Sequence, residues 1–156
     1  MLMIPVLISI VLGIIELSNY LTFSLRASNI SREIANAAFR DCSVLTQASL
    51  TTCLQTSADR VRDHANFIFN NFNTLGKVIV SSYQATPNPV LADQRTAGLG
   101  VYASHYDINK IDLNVLTTHQ QVVVGEVVYP YTPITPAGLF LNLFQGNPVI
   151  YEVTFY

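Results

Sequence analysis

The sequence predicts an α+β protein in which a long N-terminal hydrophobic helix is followed by a second helix and a small antiparallel β-sheet head. Three observations predict it. From Met1 to Leu25 the only charged side chain is Glu16. Apolar residues then keep helical spacing to about residue 39 and resume it over 57–75. After Gly76 come four short runs rich in β-branched and aromatic residues, bounded by Pro, Gly and Asn. Helices followed by strands, rather than alternating with them, build α+β and not βαβ. The chain divides into residues 1–25, a hydrophobic helix, and 26–156, the helix continuation with the α+β head.

The 156 residues are one domain's worth of chain. Half are apolar and 12% are charged, against about 25% in ordinary soluble domains. Such a composition excludes intrinsic disorder, which needs low hydrophobicity and high net charge. Net charge is −2, with eight Lys plus Arg scattered along the chain. With no basic patch, binding of nucleic acid by phosphate neutralisation is not expected.

The first element is the helix from about Ile4 to about Phe39. Its first 25 residues would measure about 37 Å as a helix, enough for a hydrocarbon core of about 30 Å. Pro5 falls in the first turns, where proline is tolerated, and Gly13 is a candidate kink. Three readings compete: a cleavable signal, an ordinary anchor, or a helix held in the membrane and later packed into a protein core. A signal lacks its basic n-region here, and Glu16 is costly in an ordinary anchor. A removed leader would explain the missing basic flank. A true start relying on Arg26, Arg32 and Arg40 is the alternative. Behind Leu25 the helix turns amphipathic, with Ala27, Ile30, Ile34, Ala37 and Ala38 on one side.

Cys42 and Cys53 follow in a Ser/Thr-rich stretch. Two cysteines are too few for structural zinc and lack the spacing of a redox pair. A disulfide in an oxidising compartment is expected, with two buried thiols as the alternative. The second helix carries a stripe of Val61, Ala65, Ile68, Phe69, Phe72 and Leu75 and stops at Gly76. Strands are expected at Lys77–Tyr83, Gly100–Ser104, Gln120–Tyr131 and Val149–Tyr156, with a proline-containing loop at 84–98 and a bulge at Gly125.

Two segments also carry a family resemblance. The opening IPVLISIVLGIIELSNYL, with Gly13, Ile14, Ile15, Glu16 and Tyr20, is similar to the N-terminal segment of TadE-like pseudopilins. NISREIANAAFRDC resembles the family's Ala-rich helix continuation. VVVGEVVYPYTPITP, with Val128, Tyr129, Tyr131, Pro133 and Pro136, resembles its valine–tyrosine strand and Tyr-x-Pro-x-x-Pro turn. Together the matches cover about a third of the residues. The resemblance implies a type IV pilin-like subunit of a tight-adherence pilus or related filament. Its partners would be copies of itself, other pilins, the inner-membrane assembly machinery and, for the precursor, a prepilin peptidase. It would sit in the inner membrane and then in an extracellular filament, with no cofactor. The chain departs from the family at position 5, where Pro5 stands in place of the usual glutamate.

The residues expected to carry assembly are Met1, Pro5, Leu7, Ile10, Val11, Ile14, Glu16, Leu17, Tyr20 and Leu21. Leu7, Ile10, Val11, Ile14, Leu17 and Leu21 share one broad helical face. Glu16 must be paired, protonated or wet. Its expected partner is the α-amino group of a neighbouring subunit, setting axial register, or else water at the membrane interface beside Ser18 and Asn19. Ile30, Ile34 and Ala38 form a second candidate contact patch, and the apolar stretch 131–148 a third. Catalysis is not expected. His64 beside Asp63, His105 before Tyr106 and Asp107, and His119, alone before a strand, are expected to be surface or loop histidines, and the P-loop, HExxH, GxSxG and Rossmann patterns do not occur. The run from Asp107 through Asn109 fails as an EF-hand at Ile111, Asp112 and Thr118.

Overall fold

Forty residues of apolar, alanine-rich and amphipathic sequence form one uninterrupted helix, α1 (Met3–Cys42). The computed structural model describes residues 3–43, 47–85, 89–107, 121–136, 138 and 148–156. After α1 come α2 (Gln47–Ile68) and the single turn α3 (Phe72–Leu75). The strands are β1 (Lys77–Ala85), β2 (Pro89–Ala97), β3 (Gln121–Pro130) and β4 (Val149–Phe155). They make one antiparallel sheet in the order β2-β1-β3-β4. The fold is therefore α+β, a long apolar-tipped helix and a helical partner laid on one face of a four-stranded sheet.

Helix α1 packs on β3 and β4, and α2 lies beside it over β2 and β1. Ala27, Ile30, Ile34, Ala38 and Cys42 recur every three or four residues on α1 and are all buried. Leu50, Leu54, Ala58, Val61 and Ala65 do the same on α2. Val78, Val80, Val123, Val127 and Ile150 complete the core from the sheet. Where the two helices part, Phe69, Phe72 and Tyr129 stack, with Phe69–Tyr129 ring centroids 4.9 Å apart. The Cys42–Cys53 disulfide, Cα–Cα 5.8 Å, ties the end of α1 to α2, and Glu33 meets His64 Nδ1 at 2.8 Å between the same helices.

Several boundaries differ from expectation. Helix α2 begins ten residues earlier than predicted, because Leu50 and Leu54 extend its buried stripe through the Ser/Thr-rich stretch. It ends at Ile68, and Asn71, at φ 57°, turns the chain into α3. Leu75 of the predicted stripe is exposed. Segment 89–97, expected to be loop, is β2. As an edge strand it tolerates Pro89 at its start and a polar Asp93–Thr96 run. Segment 100–104, expected to be a strand, is irregular and crosses the outer face of the sheet.

The expected bulge at Gly125 is absent. The ladder runs straight through it, opposite Val80 and Thr154, and the register shift falls instead at Ser82/Tyr83 between β1 and β2. What Gly125 provides is closeness. A Cβ there would lie 2.5 Å from Ile34 Cγ2 and 2.6 Å from the Ser31 carbonyl oxygen, so its absence lets α1 sit down on β3. Met1, His119, the 109–118 part of the calcium-loop comparison and 139–147 of the apolar stretch lie outside the described residues.

Candidate functional site: an apolar helix end and the Glu16 turn

From Met3 to Ile15 the helix stands clear of the head. Every residue there is exposed except Leu12, which is partly covered. These 13 residues rise about 20 Å and hold no charge. Among the described residues α1 is the one helix long and apolar enough to cross a membrane. Pro5 sits in its first turn, its carbonyl accepting a bond from Ser9 Oγ at 2.9 Å. Leu7, Ile10, Val11, Ile14, Leu17 and Leu21 lie between 52% and 62% exposed. The predicted face is thus open along its whole length.

The head begins at Glu16, whose residue is only 5% exposed. Its partners come from the turn after β3, 115 to 119 residues away. Tyr131 Oη donates to Oε1 at 2.6 Å. Thr135 donates twice to Oε2, from its backbone N at 2.8 Å and from Oγ1 at 2.7 Å. The Ile134 N–H reaches both oxygens at 3.3 Å. A carboxylate has about four acceptor sites, and four donors fill them. Gly138 closes the far side, where a Cβ would come 2.6 Å from Glu16 Cδ. Tyr20 and Phe23 pack their rings on Tyr131 at 5.3 and 5.6 Å, and Phe23 stacks on Phe69, so the bound turn is continuous with the core.

One expected environment of Glu16 needs correction: the carboxylate is not left to water beside Ser18 and Asn19 but is met by donors from the turn after β3 within the chain. The second candidate patch is also corrected, since Ile30, Ile34 and Ala38 are buried against the chain's own sheet. Tyr20, partly buried, sets its ring edge-on to Tyr131.

A second buried carboxylate lies on the opposite face of the sheet. Glu126, fully enclosed on β3, accepts bonds from Ser104 Oγ at 2.5 Å, His105 N at 3.1 Å and Tyr151 Oη at 2.6 Å. These bonds pin segment 104–106 over the sheet. Burial first, and then the hydrogen bond to Glu126, raise the Tyr151 phenol far above its ordinary value. Burial also raises the Tyr83 and Tyr106 phenols. The His105 ring stands edge-on to Tyr151, centroids 5.5 Å apart.

Compared with known proteins, the chain matches no family model, no curated protein and no solved structure. The functional reading therefore rests on geometry and on the two sequence segments that resemble TadE-like pseudopilins. Among the described residues, no group of three or more His, Cys, Asp or Glu side chains could hold a metal ion.

The sequence singled out Glu16 but not Thr135, Ile134 or Gly138. A lone carboxylate in an apolar helix demands donors, and the polar Thr132 and Thr135 in an uncharged stretch were the available sign. Glu126, an acid in a run of valines, was an equally readable sign of a buried bond network.

Proposed function

We propose that this chain is a pilin-like structural subunit, held in the inner membrane by the apolar end of α1 and assembled through that end into a tight-adherence-type filament outside the cell. The observation that carries the reading is the 13-residue apolar helix end, exposed on nearly all sides and continuous with a folded α+β head. Apolar surface of that extent normally marks a membrane or protein interface. Copies of the chain would pack through Leu7, Ile10, Val11, Ile14, Leu17 and Leu21. Other pilins, the inner-membrane assembly machinery and a prepilin peptidase acting on the precursor complete the partner set. The role is structural rather than catalytic, and the Cys42–Cys53 disulfide suits a head outside the cytoplasm.

The filled acceptor sites of Glu16 favour a second reading, a membrane-anchored accessory or minor subunit that does not polymerise alone. Such a subunit has no need of a helix carboxylate for its neighbour's N-terminus. N-terminal sequencing and intact mass of the native protein, with negative-stain microscopy of sheared surface material, separate the two. A processed chain in filament-bearing fractions supports the polymerising subunit. An unprocessed chain confined to membranes supports the accessory protein.

A further inference from the structure

The head has two ends, and its contacts say which faces the free helix. Ser31 of α1 meets Thr154 and Ser24 meets Glu152, so β4 runs alongside α1 and starts nearest the apolar end. The antiparallel register then places the end of β3, the start of β1 and the end of β2 at that same level. Helix α3 belongs there too, since Tyr129 Oη donates to the Asn70 carbonyl. So does the 98–101 turn, whose Leu99 and Gly100 N–H groups donate to the Asn73 and Gly76 carbonyls.

This base of the head is apolar and almost uncharged. Leu99, Val101 and Ile134 are 78%, 96% and 65% exposed, and Leu75 is exposed beside them. No charged residue occurs from Val127 to Tyr151 in the sequence. Among the described residues of β1 to β4, α3 and the connecting turns, Lys77 stands at this level, and Glu152, opposite Val127 and bonded to Ser24, lies one ladder step above it.

The helix alongside supplies an independent measure of depth. On the side of α1 turned away from the head, Leu17, Ser18, Leu21, Thr22 and Leu25 are exposed and uncharged, and Asn29, Arg32, Asn36 and Arg40 follow on that side. The first charged residue after Glu16 is the exposed Arg26, so the uncharged stretch ends after Leu25, about 13 Å beyond Glu16, where the head begins. A membrane that covers the helix to Leu25 therefore reaches the base of the head.

We infer that the base of the head is a lipid-docking surface, with Leu75, Leu99, Val101 and Ile134 seated at the headgroup–acyl boundary while α1 is in the bilayer. The inference rests on the membrane reading of α1 given above. Turn 131–135, bound to Glu16, is the part that enters beside the helix, and its four donors satisfy the carboxylate's acceptor sites there.

The sequence contains no Trp, so single tryptophans report position cleanly. Full-length Leu99→Trp, Val101→Trp and Ile134→Trp variants are compared with Ile8→Trp in the free helix and Phe155→Trp at the opposite end of the head. All are reconstituted in phosphatidylcholine–phosphatidylglycerol vesicles with brominated acyl chains. The expected result is strong quenching at Ile8→Trp, at least half as much at the three base positions, and almost none at Phe155→Trp. Quenching at Ile8→Trp alone overturns the lipid-docking surface and leaves the anchor standing. Base emission that shifts blue with protein-to-lipid ratio, without bromine quenching, assigns the surface to a second copy and also overturns it. No quenching at Ile8→Trp contradicts the membrane reading and the inference together.

Discussion

The two halves of α1 use one secondary structure for opposite purposes. From Met3 to Ile15 nearly every side chain is exposed and the helix has no partner within the chain. From Ala27 to Cys42 a stripe of small and β-branched residues is buried so closely that one glycine, Gly125, is needed opposite it. Glu16 marks the boundary. The contrast shows that apolarity alone does not place a segment in a core. The front half carries no charged residue on any side, whereas the back half has charged and polar residues to turn outward and so can define an inside.

Truncating the buried stripe should break the contrast most visibly. Ile34→Ala is expected to cost about 3 kcal/mol, from lost burial and the cavity left behind. Ile14→Ala should change stability by less than about 0.5 kcal/mol. Urea denaturation of both variants in one detergent makes the comparison.

At the boundary, Glu16→Ala strands the hydroxyl and N–H donors of Tyr131, Ile134 and Thr135. A loss of about 2–3 kcal/mol is expected, together with faster hydrogen exchange at the Ile134 and Thr135 amides. Unchanged exchange there would show that the turn holds without the carboxylate. The two glycines sharpen the comparison further. Gly125→Ala must push Ile34 or the helix backbone away and should cost about 1–3 kcal/mol. Gly13→Ala meets no atom within 4 Å and should stabilise the helix by up to about 1 kcal/mol. Thermal unfolding of the pair should move in opposite directions.

The smallest expected effect lies away from α1. Tyr151 is held neutral in the folded protein, its ionisation displaced upward. Unfolded tyrosine ionises from about pH 10. Below that pH both states carry the proton and stability is unaffected. Above it the unfolded state loses the proton first, so stability falls, by about 1 kcal/mol at pH 11. Tyr151→Phe should be less stable at neutral pH, having lost a bond to Glu126, but should show a shallower alkaline decline.

The elements governed by local periodicity were legible in the sequence. Helix α1 and strands β1, β3 and β4 fall within a few residues of their predicted spans. Strand β2 was not, because its edge position lets it be polar and begin at Pro89, which reads as loop. Segment 100–104 has strand composition, yet it joins no ladder, and its end is held by Ser104 and the adjoining His105 N–H bonded to Glu126. The open face Leu7–Leu21 was readable as a helical stripe. The partners of Glu16 were not, since a contact across more than 110 residues leaves no periodic trace, and only the need for some donor could be foreseen.

The division of α1 into a free end and a folded end is tested most directly by co-flotation of an Ile10→Asp/Ile14→Asp variant with liposomes, its urea midpoint followed alongside. The expected result is loss of flotation with the midpoint of the head unchanged. A midpoint that falls with the flotation, or flotation that survives two buried-in-lipid carboxylates, would contradict a free apolar end that serves the membrane and not the fold.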